Sequence, residues 1–192
     1  MESSDKSAWR RQIREWLRAL PAETRVSASN QLLERLLTQS IWSRANSLLC
    51  FAPLPGEPDI TPIIDDALRA NKVVALPRFD PGTGTYEAAR IEARSQLIPG
   101  QFGTLEPAAG CPAIPLNQLD LVLVPGVAFD LAGRRLGRGK GFYDRLLAEV
   151  RGHKCGVAFD EQIVAQVPEE PHDVRVDSIL TPSRWHLCPR AA

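Results

Sequence analysis

Apolar residues recur at three- and four-residue steps through the first part of the chain. The stretch 6–20 carries its apolar side chains on one stripe and basic side chains on another, which predicts an amphipathic helix. Pro21 is typical of a helix start, and the leucines of 23–39 predict a second helix after it. The chain is therefore expected to begin with a pair of helices.

From position 47 onward the pattern changes to short, unbroken apolar runs. These runs lie at 48–51, 73–76 and 121–124, and we expect 155–159 and 178–181 to form the final strands. Helical patterns at 61–68 and 142–150 alternate with them, and unbroken apolar strands are typical of a parallel sheet that is covered on both faces. We therefore predict an α/β fold with one domain over residues 1–192. A mostly parallel sheet with flanking helices would follow an N-terminal two-helix segment.

The middle of the chain, 80–119, has a less regular pattern. Pro77 is expected to end the strand at 73–76, and 85–93 has the character of a strand. The several helix- and strand-breaking residues between 98 and 107 predict a loop, and the glycines and prolines of 125–141 predict another.

Composition and charge narrow the class of protein. The chain has 192 residues, 44% of them hydrophobic, with 23 basic and 23 acidic side chains, which is ordinary for a globular protein. A net charge of zero argues against a dedicated nucleic-acid binder. The apolar run 121–129 is too short to span a bilayer, and the N-terminal residues lack the apolar region of a signal peptide. The four cysteines lie far apart in the sequence, which argues against a zinc site and against a disulfide framework. We expect a cytoplasmic protein without a membrane or nucleic-acid partner.

The segment 134–145 has the strongest chemical pattern. Gly137, Gly139 and Gly141 alternate with Arg138 and Lys140 directly before a predicted helix. Glycines let backbone N–H groups approach an anion closely, the helix N-terminus adds partial positive charge, and the basic side chains pair with phosphate oxygens. The sequence therefore predicts a polyphosphate site at the carboxyl end of the strand at 121–124. The alternative is a basic surface turn. Neither the P-loop pattern nor the dinucleotide-binding pattern fits these residues.

Several charged residues elsewhere allow two interpretations each. Asp144 is either a partner of the helix dipole or a magnesium ligand beside phosphates, with Asp173 as a candidate second carboxylate. Glu57, in a proline-rich loop after the first strand, is either an exposed charge or a group that orients a ligand. Lys6, Arg10 and Arg14 by themselves favour a solvated helix face.

The run L-V-P-G-V-A-F-D-L-A-G-R-R-L-G-R-G-K-G-F-Y-D, which ends at Asp144, resembles the signature of the 5-formyltetrahydrofolate cyclo-ligase family, also called methenyltetrahydrofolate synthetase. The resemblance extends over nearly the whole chain. Further matching segments include K-x-x-x-R10, P-L-P-G-E57, L-P-R78, F-G-x-x-E-P107 and H-D173. Phe142 stands where many members have tyrosine.

The resemblance implies an enzyme that uses Mg-ATP to convert 5-formyltetrahydrofolate, with or without a polyglutamate tail, to 5,10-methenyltetrahydrofolate. ATP would phosphorylate the formyl oxygen, N10 would attack the activated carbon, and phosphate would leave as the ring closes. ADP and phosphate would be the other products. The resemblance also implies a NagB/RpiA/CoA transferase-like fold, and we expect a monomer.

The resemblance assigns roles to individual residues. Its catalytic residues would be Arg138, Lys140 and Glu57. Its ATP contacts would be Lys6, Arg10, Arg134, Arg135, Leu136, Gly137, Arg138, Gly139, Lys140, Gly141 and Phe142. Its folate contacts would be Phe51, Ala52, Glu57 and Tyr143, and its magnesium ligands would be Asp144 and Asp173.

Two other functions remain open on the sequence. One is an enzyme of the same fold class that acts on a phosphorylated sugar or a coenzyme A ester, because a fold alone does not decide function. The other is a folate- or nucleotide-binding protein without turnover. A turnover assay with folinic acid and Mg-ATP separates all three.

Overall fold

A computed structural model describes residues 3–101, 103–139 and 141–189. The α-helices in these residues are α1 Ser3–Ala19, α2 Ala22–Leu37, α3 Ser40–Arg44, α4 Thr61–Arg69 and α5 Phe142–Glu149. The strands are β1 Ser47–Leu49, β2 Val73–Asp80, β3 Thr85–Ile91, β4 Leu97–Pro99, β5 Leu105–Pro107, β6 Ala113–Ile114, β7 Leu121–Pro125, β8 Ala128–Phe129, β9 Arg135–Leu136, β10 His153–Val157, β11 Ser178–Leu180 and β12 Trp185–Leu187. Short 3-10 turns occupy Arg94–Gln96, Leu116–Gln118 and Asp160–Gln162.

The centre of the fold is a sheet of eight strands in the order β12-β11-β10-β7-β1-β2-β3-β6. The inner strands from β11 to β2 pair in parallel, whereas β12, β3 and β6 are antiparallel to their neighbours. The predicted mixed α/β fold, with a mostly parallel sheet, flanking helices and two N-terminal helices, is confirmed. Parallel strands end at one edge of a sheet, and that edge is where open α/β sheets bind ligands.

Side chains on both faces of the sheet are buried, which explains the unbroken apolar runs. Along β7, Leu121 and Leu123 pack in one core with α2 and α4, and Val122 and Val124 pack in another with α5. Helices thus cover both faces of the sheet, so every residue of β7 is buried and an apolar side chain is favoured at each position.

Two expectations for the middle of the chain are wrong. β2 continues through Pro77 to Asp80, because β1 pairs only with Val73–Ala75, so the ladder to β1 ends before the proline. Residues 98–107 are not all loop, since β4 and β5 form an antiparallel pair. Its prolines lie at strand ends, where the missing N–H disrupts little pairing, and Gly103 has φ +78 in the turn.

The predicted loop 125–141 contains a small hairpin of β8 and β9. Phe129 of this hairpin is fully buried, and its ring fits between two glycines. A Cβ added at Gly126 or at Gly156 would lie 2.6 Å from a carbon of the Phe129 ring. The ring therefore fixes the hairpin against β10 and holds the segment that follows it over the end of β7.

Among the described residues, no helix combines the length and the apolar character that a membrane crossing requires.

Candidate active site

A cavity of about 590 Å³ opens where the carboxyl ends of the parallel strands meet helix α1. Its wall brings together fifteen residues that the sequence predicted for the site: Lys6, Arg10, Phe51, Ala52, Glu57, Arg135, Leu136, Gly137, Arg138, Gly139, Gly141, Phe142, Tyr143, Asp144 and Asp173. Segments that lie more than a hundred residues apart in the sequence thus face one space.

Two predicted residues remain, Arg134 and Lys140. Arg134 does not line the cavity, since its Nε pairs with Oδ2 of the buried Asp130 at 2.6 Å and holds the β8–β9 turn. The expectation that Arg134 contacts ATP therefore finds no support in its placement. Lys140 lies outside the described residues.

The predicted phosphate loop runs from the end of β9 to the start of α5. Gly139 and Gly141 have φ values of +98 and +65, which favour glycine, and Gly141 caps the N-terminus of α5. The loop therefore presents backbone close to the first turn of a helix, which is a favourable place for an anion.

Helix α1 lies against this loop. The Arg10 Nε donates to the carbonyl oxygen of Gly137 at 2.9 Å, and a Cβ at Gly139 would lie 3.5 Å from the Arg10 guanidinium carbon. Lys6, one turn earlier, donates to Glu170 at 2.8 Å and also lies 3.5 Å from Asp173. The basic face of α1 is thus packed into the site, and the interpretation as a merely solvated face is wrong for Lys6 and Arg10.

Glu57 and Arg138 join the two predicted halves of the site. The Arg138 Nε and Nη2 donate to Oε1 of Glu57 at 2.9 and 2.8 Å, and the Leu54 N–H donates to Oε2 at 2.9 Å. The Glu57 side chain is only 8% exposed. The stiff loop after β1 therefore directs this carboxylate inward, against the phosphate loop, which contradicts the interpretation of Glu57 as an exposed charge.

Asp144 and Asp173, the predicted magnesium ligands, both line the cavity. Asp144 accepts from Arg135 at 2.6 Å, and Asp173 accepts from the backbone N–H of Glu170 at 2.8 Å. No cluster of three or more metal-ligating side chains occurs in the described part of the chain. Magnesium usually takes one or two carboxylates together with phosphate oxygens, so this pair fits a metal that is bound along with a nucleotide.

Aromatic rings form the side of the cavity next to β3. Tyr86 and Phe142 line it, with ring centroids 5.3 Å apart in an edge-to-face arrangement, and Phe79 packs 5.4 Å from Tyr86. Burial, followed by the nearby Glu106, raises the pKa of Tyr86 to about 12. Burial also raises the pKa of Tyr143. Both phenols therefore stay protonated at neutral pH and can donate a hydrogen bond.

Sequence reasoning gave no site role to several residues that line the cavity: Arg14, Leu54, Tyr86, Thr104, Leu105, Glu170 and His172. Arg14 carried a usable signal, because it follows Arg10 by four residues on the same predicted helix. Tyr86, Thr104 and Leu105 carried none, since the β2–β3 and β4–β5 pairings bring them in.

The sequence matches the 5-formyltetrahydrofolate cyclo-ligase family over residues 2–182. The 5-formyltetrahydrofolate cyclo-ligase of Escherichia coli K12 is 34% identical over 177 residues, which cover 90% of this chain and 97% of that protein. The enzyme of that name from Mus musculus is 30% identical over 190 residues, covering 93% and 94% of the two chains. The solved structure of Aquifex aeolicus 5,10-methenyltetrahydrofolate synthetase superposes with a TM-score of 0.88 at 32% identity, covering 97% of this chain and 94% of that one.

Proposed function

Since the chain belongs to the 5-formyltetrahydrofolate cyclo-ligase family, we propose that it is the ligase that converts 5-formyltetrahydrofolate to 5,10-methenyltetrahydrofolate, with ATP as co-substrate and ADP and phosphate as products. The observation that carries the proposal is the contact between Arg138 and Glu57. It places the candidate phosphate-binding loop and the candidate folate-binding loop at one cavity, as a reaction between ATP and a folate requires.

The chemistry needs positioning and charge neutralisation more than a nucleophilic side chain. A formamide oxygen is a poor leaving group, so its phosphorylation by ATP would allow N10 to attack the formyl carbon, with phosphate leaving as the ring closes. The side chains of Arg10 and Arg138 and the backbone of Gly137, Gly139 and Gly141 line the cavity and would bind the phosphates. Cys50 does not compete for a nucleophilic role, because its thiol is buried and its pKa is raised to about 12.

Glu57 would orient the formyl and pterin end of the folate. Its Oε2 is fixed by the Leu54 N–H, so the carboxylate has a defined direction, and Phe51, Ala52 and Tyr143 would line the same pocket. Asp144 and Asp173 would hold Mg²⁺, which when bound neutralises charge on the phosphate oxygens. The contact of Lys140 with ATP stays a prediction.

Several finer properties rest on the sequence alone and stay predictions. They are the single domain over 1–192, the NagB/RpiA/CoA transferase-like fold, the monomeric state, the cytoplasmic location and the acceptance of polyglutamylated folates. The parallel order from β11 to β2, with a cavity at the carboxyl ends, supports the fold assignment. Size-exclusion chromatography with light scattering tests the monomer, which a dimer mass at micromolar protein would refute.

Incubation of the purified protein with folinic acid and Mg-ATP tests the activity. We expect the near-ultraviolet absorbance of the methenyl product to rise only when ATP is present, with one ADP formed per product. Folded protein that binds folinic acid and gives no ATP-dependent absorbance would favour the binding protein without turnover. No observation here favours the phosphorylated sugar or coenzyme A alternative.

Arg138→Ala tests the phosphate loop. A charge-assisted hydrogen bond contributes about 1.5–3 kcal/mol, so the KM for ATP is expected to rise roughly 10- to 100-fold. Arg175→Ala is the matched control, because Arg175 pairs with Glu169 outside the cavity and its loss is expected to leave the KM unchanged.

A further inference from the structure

Some of the basic side chains around the cavity are paired with a carboxylate, and others are not. Arg138 pairs with Glu57, Arg135 pairs with Asp144, and Lys6 pairs with acidic residues of 170–173. Each of these cations has a carboxylate within 4.0 Å. Two cavity arginines of α1 do not pair in this way.

Arg10 satisfies its Nε on a neutral acceptor, the carbonyl oxygen of Gly137. Arg14, one turn later, lines the cavity, and its Nε is shielded from solvent without a hydrogen-bond acceptor among the described residues. No carboxylate in the described part of the chain lies within ion-pair distance of Arg14.

The surroundings of Arg14 are positive. Burial and the neighbouring guanidinium groups of Arg138, Arg10 and Arg18 lower the pKa of Arg14, and the strongest of these neighbours is Arg138 of the phosphate loop. Like charges that converge on one partly buried space repel each other, and an anion among them relieves that repulsion. The Arg14 guanidinium group lines the cavity without a counter-charge among the described residues, so it can neutralise such an anion.

The path of α1 decides where along the site this anion lies. At Arg10 the helix contacts Gly137 and Gly139 of the phosphate loop. At Leu17 it contacts the candidate folate loop, since a Cβ at Gly56 would lie 3.5 Å from the Leu17 Cβ. Arg14 is situated between these two contacts, and therefore between the nucleotide side and the folate side.

We propose that Arg14 binds the terminal phosphate of ATP, at the point where this phosphate meets the folate. The inference rests on the proposed function and adds a binding residue to it. Arg10 would hold the inner part of the polyphosphate, and Arg14 would donate to the oxygens of the group that is transferred. Neutralisation by a guanidinium group at that place favours phosphoryl transfer.

Comparison of ATP with ADP tests the proposal without requiring turnover. Arg14→Met removes the charge and keeps the apolar part of the side chain, and Arg14→Lys keeps the charge without the planar fork. Calorimetric titration with Mg-ATP and Mg-ADP, in the absence of folate, gives the two affinities. Arg18→Gln is the matched control, because Arg18 lies one further turn along α1, is exposed and does not line the cavity.

We expect Arg14→Met to weaken ATP binding about 10-fold or more and ADP binding less than about 3-fold. The ATP affinity of Arg14→Lys should lie between those of Arg14→Met and the natural protein, and Arg18→Gln should change neither the ATP nor the ADP affinity. Without nucleotide, Arg14→Met should melt at the same temperature as the natural protein or higher, because a repelling charge is gone. A residue that served only to hold the fold would give a lower melting temperature.

Three results would overturn the proposal. Equal losses of affinity for ATP and for ADP would mean that Arg14 contacts an inner phosphate or acts only through the overall positive potential of the site. Unchanged nucleotide affinities with weaker binding of folinic acid would assign Arg14 to the glutamate carboxylates of the folate. If Arg14→Met does not fold, Arg14→Lys replaces it in the test. Equal losses of affinity for ATP and for ADP in Arg14→Lys would then refute the proposal. A natural protein that binds ATP but shows no turnover would refute the proposed function and leave this inference standing.

Discussion

Loss of Asp144 is expected to destabilise the fold as well as the reaction. Its carboxylate lies 2.6 Å from Nη2 of Arg135, and the two side chains are 18% and 4% exposed. Arg135 has no other carboxylate within 4.0 Å among the described residues, and its Nε is buried without an acceptor. Asp144→Ala would therefore leave a buried guanidinium group without its counter-charge.

The burial of the pair sets the magnitude. Removal of one partner from a buried ion pair costs about 3–5 kcal/mol, and the partial exposure of Asp144 places the expected loss near 3 kcal/mol. For a chain of this length, that corresponds to a melting temperature lower by roughly 6–12 °C. The exposed pair of Arg175 and Glu169 has the same 2.6 Å separation with side chains 39% and 28% exposed, so Arg175→Ala should lose far less stability than Asp144→Ala.

Urea unfolding followed by circular dichroism measures both losses, with EDTA present and nucleotide absent so that magnesium binding contributes nothing. The dependence of the free energy on urea should stay unchanged, since the folded and unfolded states are the same. The double variant Asp144→Leu with Arg135→Met removes both charges and should recover much of the stability, because an apolar pair often replaces a buried ion pair without loss.

Two outcomes would refute the argument. The first is a loss below about 1 kcal/mol for Asp144→Ala, which would show that Arg135 is solvated or paired elsewhere. The second is a double variant as unstable as the sum of its single changes, which would show that the two side chains do not interact. Activity should stay low in the double variant in any case, if Asp144 also holds magnesium.

Three further predictions concern packing, titration and substrate binding. Gly126→Ala would place a Cβ 2.6 Å from the ring of Phe129, so it should lose about 1–3 kcal/mol in urea unfolding, and adding Phe129→Leu should recover part of the loss. The chain has two tyrosines, Tyr86 and Tyr143, and burial raises the pKa of both, for Tyr86 to about 12, while unfolded tyrosines ionise near pH 10. The contribution of these buried phenols to stability is therefore complete below about pH 10 and falls as the pH rises toward about 12. A phenolate absorbance from folded protein near pH 10 would contradict the raised pKa values. Glu57→Gln should raise the KM for folinic acid roughly 10-fold and the KM for ATP less, and equal effects would place Glu57 on the nucleotide.

The parts of the fold that the sequence predicted correctly depend on local pattern. The periodic apolar residues of α1 and the unbroken run of β7 identify their elements without knowledge of any partner. The glycine spacing at 137–141 predicts a loop in the same way, and Gly139 and Gly141 have positive φ there, whereas phosphate binding by this loop stays a prediction. Such features need no information from distant parts of the chain.

The expectations that the structure contradicts or leaves without support depend on distant partners. Because proline lacks an N–H, Pro77 would break β2 only if β1 still paired with the strand at that position. The pairing with β1 ends at Ala75, which the sequence of β2 alone does not reveal. Arg134 and Arg135 are neighbours of the same type, yet one pairs with Asp130 outside the cavity and the other with Asp144 inside it. Arg134 lies in the turn that Asp130 holds, whereas Arg135 begins β9, and composition contains no sign of this difference.

The assembly of the site from oppositely charged segments has a consequence for its response to salt. Residues 6–18 and 134–145 each carry five basic side chains and one acidic, whereas 159–177 carries six acidic and one basic, so the net charge of zero is a sum over complementary segments. Their contacts differ in exposure, since Glu170 of the pair with Lys6 is 50% exposed and Arg135 of the pair with Asp144 is 4% exposed. Salt screens exposed charges far more than buried ones, so added salt should loosen the packing of α1 on the acidic segment and leave the Arg135–Asp144 pair intact. Hydrogen exchange in α1 should therefore accelerate with ionic strength before exchange in α5 does, because the Lys6–Glu170 contact of α1 includes an exposed carboxylate whereas the Arg135–Asp144 contact of α5 is buried.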